Sequence, residues 1–403
     1  MKNPFLSLKY RNFRIYWVGM NVSLIGSWMQ TIALPWLTLT ITGDPFKVSL
    51  VVVSQFIPPL FLTLFYGALL DKFNKKLLLS IAQIGMASVA ALFTIMVFSG
   101  QENFNLILIL SLIHGIFMSF DAPSRQSMIY DLIDNKCDLP NAIALNSMSF
   151  NVARILGPSI AGFIMAVFGV GWCFLINAIS FFAVLISLKF IKFRPDVIIN
   201  HTGKLEIWRS IKEGFLYVLN KKILLEGLCI LLIVATFIPN YNVTISAFVK
   251  FVLEGDETTF GYLISSVGVG AFFGALFVAI FGKLGSYWIY VVSFFTAIIL
   301  SFMSLFENIY IICFLVILTG FGFVIVTAST NSMIQLNTKN EFRGRVMSIY
   351  TFVFQGSTPF GAMFAGYFIE RYGAKFGFFI SGAAAFLLLL MIIFCFKNKM
   401  RRK

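Results

Sequence analysis

Long apolar runs separated by short polar loops dominate this sequence. Each run has about the 20 residues that an α-helix needs to cross a bilayer. A bilayer span must satisfy its own backbone hydrogen bonds, so runs this long and apolar predict helices rather than strands. We predict twelve spans, near residues 15–38, 46–70, 77–99, 104–122, 141–168, 172–188, 223–251, 258–282, 287–306, 308–332, 346–369 and 375–396. The predicted fold class is therefore an all-α polytopic membrane protein.

The composition agrees with this interpretation and excludes soluble classes. Hydrophobic residues make up 59% of the 403 residues, and charged residues only 12%. A soluble domain could not cover so much apolar surface with so few charged side chains. The net charge of +14 could indicate nucleic-acid binding. No dense basic run of the kind found in nucleic-acid-binding arms is present, so we expect no nucleic-acid partner.

The distribution of basic residues predicts the topology. With the N-terminus inside, the predicted cytoplasmic segments hold 26 of the 31 Lys and Arg residues. Positive residues accumulate on the cytoplasmic side of membrane proteins, so we expect both termini in the cytoplasm.

The polar stretch 189–222 divides the chain. It holds eight Lys and Arg residues and one predicted helix, Leu205 to Leu219, with apolar residues at helical spacing. A basic amphipathic helix of this kind is typical of a segment lying on the inner membrane surface. We predict a first six-helix bundle over 1–188, a linker over 189–222 and a second six-helix bundle over 223–403. Ser127-Met128-Ile129 recurs as Ser332-Met333-Ile334, about half a chain later, which indicates a parallel repeat.

The turn between the second and third spans carries an acid among lysines. It resembles the signature of the major facilitator superfamily, which is Gly, three residues, Asp, a basic residue, any residue, Gly and two basic residues. The matching positions are Gly67, Asp71, Lys72, Lys75 and Lys76. Asn74 stands where the family has its second Gly, and we expect it to adopt the left-handed conformation that Asn tolerates.

The fifth span contains a second motif. Residues 151–162 resemble the antiporter signature Gly-x-x-x-Gly-Pro-x-x-Gly-Gly through Gly157, Pro158 and Gly162, with Ala153 and Ala161 replacing two glycines. Close packing of two helices would explain the small residues equally well. Together with residues 12–14 and 28–30, this run is similar to the superfamily's bacterial exporter branch, which includes the enterobactin exporter and macrolide efflux proteins.

The resemblance implies two pseudo-symmetric six-helix bundles in a bacterial cytoplasmic membrane and export by alternating access. It also implies a cytoplasmic gate in which Asp71 faces the start of the eleventh span, near Arg343 and Arg345. The alternative for Asp71 is a loop charge that only sets topology. On the fourth span, Ser111 and His114 stand where many antiporters of the family have Arg and Gln, so the usual proton-coupling arginine is absent.

Polar residues inside the predicted spans are the candidates for substrate binding or coupling. Arg154 falls at the middle of the fifth span and His114 at the middle of the fourth. The span assignment leaves all 17 acids in loops or at span ends, so Arg154 must use carbonyls, water, substrate or polar side chains such as Asn151. Either Arg154 binds an anionic group and His114 carries a proton, or both are structural. The remaining candidates are Ser27, Gln30 and Asn331, which either join helices or line a wet cavity.

These features predict a secondary transporter that exports a small amphiphile, anionic or neutral, with proton coupling left open. The alternatives are a lysolipid transporter or flippase, and a transporter-like membrane sensor without flux. We find no nucleophile–base pair and no metal-ligand spacing, so we expect neither an enzyme nor a cofactor. The expected partners are the substrate, membrane lipids and possible protons, and we expect a monomer.

Overall fold

The structure is a computed structural model that describes residues 5–70, 74–191, 207–281 and 285–401, and every regular element in those residues is a helix. Short 3-10 helices cover Leu6–Lys9, Lys136–Asp138, Met303–Leu305 and Asn340–Phe342. The α-helices are α1 (Arg11–Thr42), α2 (Pro45–Leu70), α3 (Lys75–Phe98), α4 (Phe104–Leu132), α5 (Leu139–Phe168), α6 (Val170–Phe190), α7 (Ile207–Asn220), α8 (Lys222–Phe237), α9 (Tyr241–Phe251), α10 (Glu257–Phe281), α11 (Ser286–Phe302), α12 (Ile309–Leu336), α13 (Arg343–Tyr372) and α14 (Ala374–Arg401).

Eleven segments of the described chain are long and apolar enough to cross a membrane. They coincide with the predicted spans, with α8 and α9 together forming one of them. The predicted eleventh span, 346–369, lies inside α13, which has 30 residues but is not among the eleven. The membrane-protein class and its helical architecture are thus confirmed, while the count of twelve spans stays a prediction, since eleven segments of the described residues meet this test.

Helix α4 is longer than the sequence predicts. It continues through Pro123 to Leu132, whereas the predicted span ends at residue 122. Proline is tolerated inside membrane helices because neighbouring groups can satisfy the backbone that it frees. The extension puts Asp121 three residues past the midpoint of the helix, where it is only 8% exposed. Asp121, expected at a span end, is therefore buried within a continuous helix, and its depth in the membrane stays a prediction.

Asn74 ends the turn differently from the prediction. Its backbone is extended, with φ −64° and ψ 116°, rather than left-handed. Its Oδ1 accepts hydrogen bonds from the backbone N–H groups of Lys76, at 2.9 Å, and Leu77, at 3.4 Å. Asn is a favoured N-cap residue. At this position it caps the start of α3 instead of adopting the left-handed conformation that was expected.

The seventh predicted span is broken into α8 and α9 at residues 238–240. Asn240 donates from Nδ2 to the carbonyl oxygen of Thr236, over 2.8 Å, and so satisfies one carbonyl at the end of α8. Gly361 of α13 packs directly on this break, since a Cβ at Gly361 would overlap the Thr236 carbonyl oxygen. Irregular backbone inside a span is tolerated where protein groups surround it, as they do at this break.

The described residues fall into two compact units. Unit 1 comprises residues 1–43 and 54–202, and its core packs Phe13 and Tyr16 of α1 against Met128 of α4 and Val184 of α6. Unit 2 comprises residues 44–53 and 203–403, with a core that joins α8, α12 and α13. Helix α7 lies within the predicted linker, and the domain boundaries at 188 and 223 stay a prediction.

Candidate functional site

The basic turn after α2 is anchored to α4. Lys75 forms an ion pair with Asp131, its Nζ lying 2.8 Å from Oδ2. Lys76, the second residue of α3, is half-buried. Gly67 lies in the last turn of α2, while Asp71 and Lys72 lie outside the described residues. The contact of Asp71 with the start of α13 therefore stays a prediction.

Helix α7 contacts the start of α13, where the gate arginines lie. Arg345 donates from Nη1 to Glu213 Oε2 of α7 over 2.7 Å, while Arg343 is exposed. The ring of Tyr217 stacks on that of Phe342 with centroids 4.3 Å apart. The linker helix thus contacts the predicted gate at Arg345 through charge and at Phe342 through aromatic stacking.

The hydroxyl of Tyr217 joins the same contact. It accepts a hydrogen bond from the backbone N–H of Lys339 over 3.1 Å. The hydrogen bond from Lys221 lowers the pKa of the Tyr217 phenol, because it stabilises the phenolate more than the neutral form.

The two candidate polar residues of α1, Gln30 and Ser27, have different partners. Gln30 is 2% exposed, and its Oε1 accepts from Asn177 Nδ2 of α6 over 2.7 Å. Ser27 donates to the carbonyl oxygen of Ser23, one turn earlier on α1. Gly26 permits the close approach, since a Cβ there would overlap Ser180 of α6. This geometry favours the helix-joining alternative for Gln30, whereas Ser27 bonds within α1.

His114 has a partner that the sequence analysis did not single out. Its Nδ1 lies 3.3 Å from Nε2 of Gln55 on α2, and both side chains are buried. Gly115 lets the helices meet there, because a Cβ on it would overlap the Gln55 carbonyl oxygen. An imidazole held against an amide at the middle of two helices can donate, accept or take up a proton.

The α5 motif shows one close helix contact and one central charge. A Cβ at Gly157 would overlap the Trp28 side chain of α1, and Pro158 and Gly162 are buried. Arg154 is half-buried at the middle of α5. The structure does not describe the side chain of Asn151. Arg154 thus lies near the midpoint of α5, and its depth in the membrane stays a prediction.

Asn331 lies on the last two turns of α12. Its Oδ1 accepts a hydrogen bond from Gln335 Nε2 over 2.5 Å, one turn later. Nearby, Tyr350 of α13 donates to the Thr327 carbonyl oxygen over 3.2 Å. The Tyr350 hydrogen bond ties α13 to α12, whereas the Asn331–Gln335 bond lies within α12.

A buried charged cluster on α3 and α4 is the main feature that sequence reasoning missed. Asp121 Oδ2 lies 2.6 Å from Arg125 Nε, and Asp121 Oδ1 accepts from Gln83 Nε2 of α3 over 2.6 Å. Gln83 is fully buried, and the side chains of Asp121 and Arg125 are each 12% exposed. The i, i+4 spacing of Asp121 and Arg125 could have revealed the pair, had the helix been predicted to continue through Pro123. Charged groups inside a membrane protein are rare and mark ion or substrate pathways.

Comparison with known proteins places this chain among transporters. The profile of the transmembrane secretion effector family matches residues 2–402. The staphyloferrin A transporter of Staphylococcus aureus is 26% identical over 94% of both chains. The multidrug efflux pump Tap of Mycolicibacterium fortuitum is 24% identical over 92% of both chains. Macrolide efflux protein A of Streptococcus pyogenes is 21% identical over 96% of both chains.

A solved structure shows the same fold. A bacterial homologue of the human lysosomal transporter Spinster, in an inward-facing and unoccupied conformation, superposes with a TM-score of 0.73. The two sequences are 13% identical, and the match covers 96% of each chain. Helical architecture, superposition and full-length profile agree, and this chain belongs to the transmembrane secretion effector family of major facilitator superfamily transporters.

Proposed function

We propose that the protein exports a small amphiphilic compound, anionic or neutral, by alternating access in exchange for protons. The observation that carries this proposal is the range of its full-length relatives, which are named for transport of staphyloferrin A, for multidrug efflux and for macrolide efflux. Similarity over more than nine-tenths of each chain supports a shared transport cycle, while the compound moved is set by particular side chains.

Arg154 supports the preference for anionic substrates. A cation at the middle of a membrane helix is expensive to keep and is retained where it has a use. Its guanidinium offers five N–H donors in a planar fork that suits carboxylates and phenolates. The apolar faces of the surrounding helices would accept the rest of an amphiphile.

Uptake of test compounds into proteoliposomes that hold the protein inside out, with an imposed pH gradient, tests the proposal. The panel contains an anionic catechol, a neutral amphiphile, a zwitterionic lysophospholipid and a lipophilic cation. We expect gradient-driven movement of the anionic or neutral compounds. Transport of the cation alone would contradict the substrate class. Movement of the lysophospholipid alone would favour a lipid transporter, and absence of all flux would favour a sensor.

The Arg154→Gln variant tests the residue assignment. We expect transport of the anionic compound to fall about tenfold or more, since a hydrogen bond to a charged group contributes roughly 1.5–3 kcal/mol. Transport of the neutral compound should be retained. Arg371→Gln, which removes an exposed cation at the end of α13, is the matched control. Equal loss for every compound with a lower melting temperature would assign Arg154 a structural role.

A further inference from the structure

The cluster at the middle of α4 contains a carboxylate that can change its charge. From its geometry we infer that Asp121 is the group that binds and releases the transported proton. This inference rests on the proposed proton-coupled export and names the residue that carries the coupling.

The position of Asp121 suits a proton carrier. It lies eleven residues before the end of α4, or about 16 Å along the axis at 1.5 Å per residue. Its carboxylate is buried and bound by Arg125 from its own helix and by Gln83 from α3. The guanidinium of Arg125 has no acceptor for a proton, so the carboxylate is the group of this pair that can bind one.

One neighbouring atom, Gln83 Oε1, suits the protonated form. It is buried without a hydrogen-bond partner among the described residues, and Gln83 is 0% exposed. An amide oxygen and an ionised carboxylate both only accept hydrogen bonds, so the ionised Asp121 cannot satisfy Gln83 Oε1. A protonated Asp121 has an O–H to donate, and rotation of the Gln83 amide would present Oε1 to it.

Other titratable or polar groups lie on the helices that pack against α4. From α1, the hydroxyl of Tyr16 lies 3.5 Å from the Arg125 carbonyl oxygen. From α3 comes the uncharged amide of Gln83, while the Lys75–Asp131 ion pair lies ten residues farther along α4. Helix α5 carries Arg154 at its middle.

His114 lies on the same face of α4 as Asp121. It precedes Asp121 by seven residues, about two helical turns and roughly 10 Å. It therefore stands as a second titratable group along that face, beyond the reach of a direct hydrogen bond to Asp121.

The proposed step is a proton addition that changes the charge of the cluster. A proton binds to one oxygen of the Asp121 carboxylate, forming an O–H bond and breaking no other covalent bond. The Asp121–Arg125 pair then changes from neutral to a net charge of +1, and Arg125 loses its anionic partner. The conformation that hydrates Arg125 is favoured after protonation, and release of the proton restores the ion pair.

Infrared difference spectroscopy of purified, substrate-free protein between mildly acidic and mildly alkaline pH measures this proton directly. We expect a protonated-carboxyl band in the wild type that disappears in Asp121→Asn. The control is Asp131→Asn, which removes an acid of the same helix paired to Lys75 and should keep the band. Asp121→Glu should also keep a band, at a shifted frequency. A band that survives in Asp121→Asn overturns the assignment, as does a wild type without a pH-dependent carboxyl band.

Transport in the same proteoliposomes separates this inference from the proposed function. Asp121→Asn should lose accumulation driven by the pH gradient but retain downhill movement of the compound that the wild type exports. Loss of the infrared band without loss of gradient-driven accumulation would overturn the coupling role. If the wild type moves none of the panel, the proposed function fails, while the infrared result still decides whether Asp121 titrates.

Folding of the variant is controlled separately. Because Asp121→Asn leaves Arg125 without its ion-pair partner, the neutral double variant Asp121→Asn/Arg125→Gln is measured alongside it. It should fold and show neither the band nor gradient-driven accumulation. Accumulation at the wild-type level in the double variant would contradict the inference.

Discussion

At the scale of single residues, an ionic cluster at the start of the chain links distant parts of the sequence. Lys9 Nζ lies 2.6 Å from Asp138 Oδ2, and the Tyr10 hydroxyl donates to the same oxygen over 2.7 Å. The hydrogen bond from Lys9 holds the pKa of Asp138 below its usual value of 3.8. The hydrogen bond to Asp138 raises the pKa of Lys9 above 10.5. Lys9 and Tyr10 lie just before α1 and Asp138 lies just before α5. The protonation of these groups therefore affects the contact between the starts of the two helices.

The Asp138→Asn variant should have a slightly lower melting temperature than the wild type at neutral pH. The stabilisation from a lowered carboxylate pKa is complete above the unfolded value and is lost as pH falls through the folded value. The difference should therefore be constant from pH 5 to 8 and shrink only below about 3.8. From the Lys9 side, it should also shrink as pH rises above about 10.5. Glu102→Gln, in the exposed loop after α3, is the control, and a difference that changes between pH 5 and 8 would contradict the assignment.

At the scale of elements, helix α7 shows how an amphipathic segment finds a fixed place. Its apolar periodicity predicts an association with the membrane surface, and the structure adds specific contacts with the start of α13. Gly214 lies against Arg345. A Cβ added to Gly214 would lie 3.1 Å from the Arg345 Cβ, so the two helices approach closely there. These contacts let α7 influence the segment predicted to form the cytoplasmic gate.

The Glu213→Gln variant should loosen α7. A partly exposed ion pair contributes roughly 0.2–1 kcal/mol, so amide hydrogen exchange within α7 should quicken by about 1.4- to fivefold. Lys212→Gln, which changes an exposed neighbouring charge on the same helix, should leave the exchange rates unchanged. Unaltered exchange in Glu213→Gln would show that stacking of Tyr217 on Phe342 holds α7 without help from the ion pair.

At the scale of the whole molecule, the orientation in the membrane is the main prediction. The concentration of Lys and Arg in alternate loops predicts that the loops after α3 and α11 face outward. A single cysteine replacing Glu102 or Glu307, in a cysteine-free background, should react with an impermeant reagent added to intact cells. Native Cys137, exposed in the loop between α4 and α5 and retained alone, should react only after the membrane is permeabilised. Labelling of Cys137 from outside would reverse the predicted topology.

The helical membrane fold and the family could be predicted from sequence because both depend on local features. Span length is fixed by bilayer thickness, and apolarity is fixed by the lack of water around the backbone. Charge bias in loops and short motifs such as residues 67–76 are likewise readable without knowing which helices touch. The predicted depths of Arg154 and His114 in the membrane stay predictions.

Contacts between distant residues required the tertiary structure. The predicted fourth span ends at residue 122, yet α4 continues through Pro123 and buries Asp121 with Gln83 of α3. The partners of His114 and Gln30 are amides on other helices, and no spacing in one helix identifies its neighbour's facing side chain. Membrane insertion specifies which segments become helices, whereas side-chain packing and buried hydrogen bonds select which polar groups meet, and those meetings create the candidate proton site.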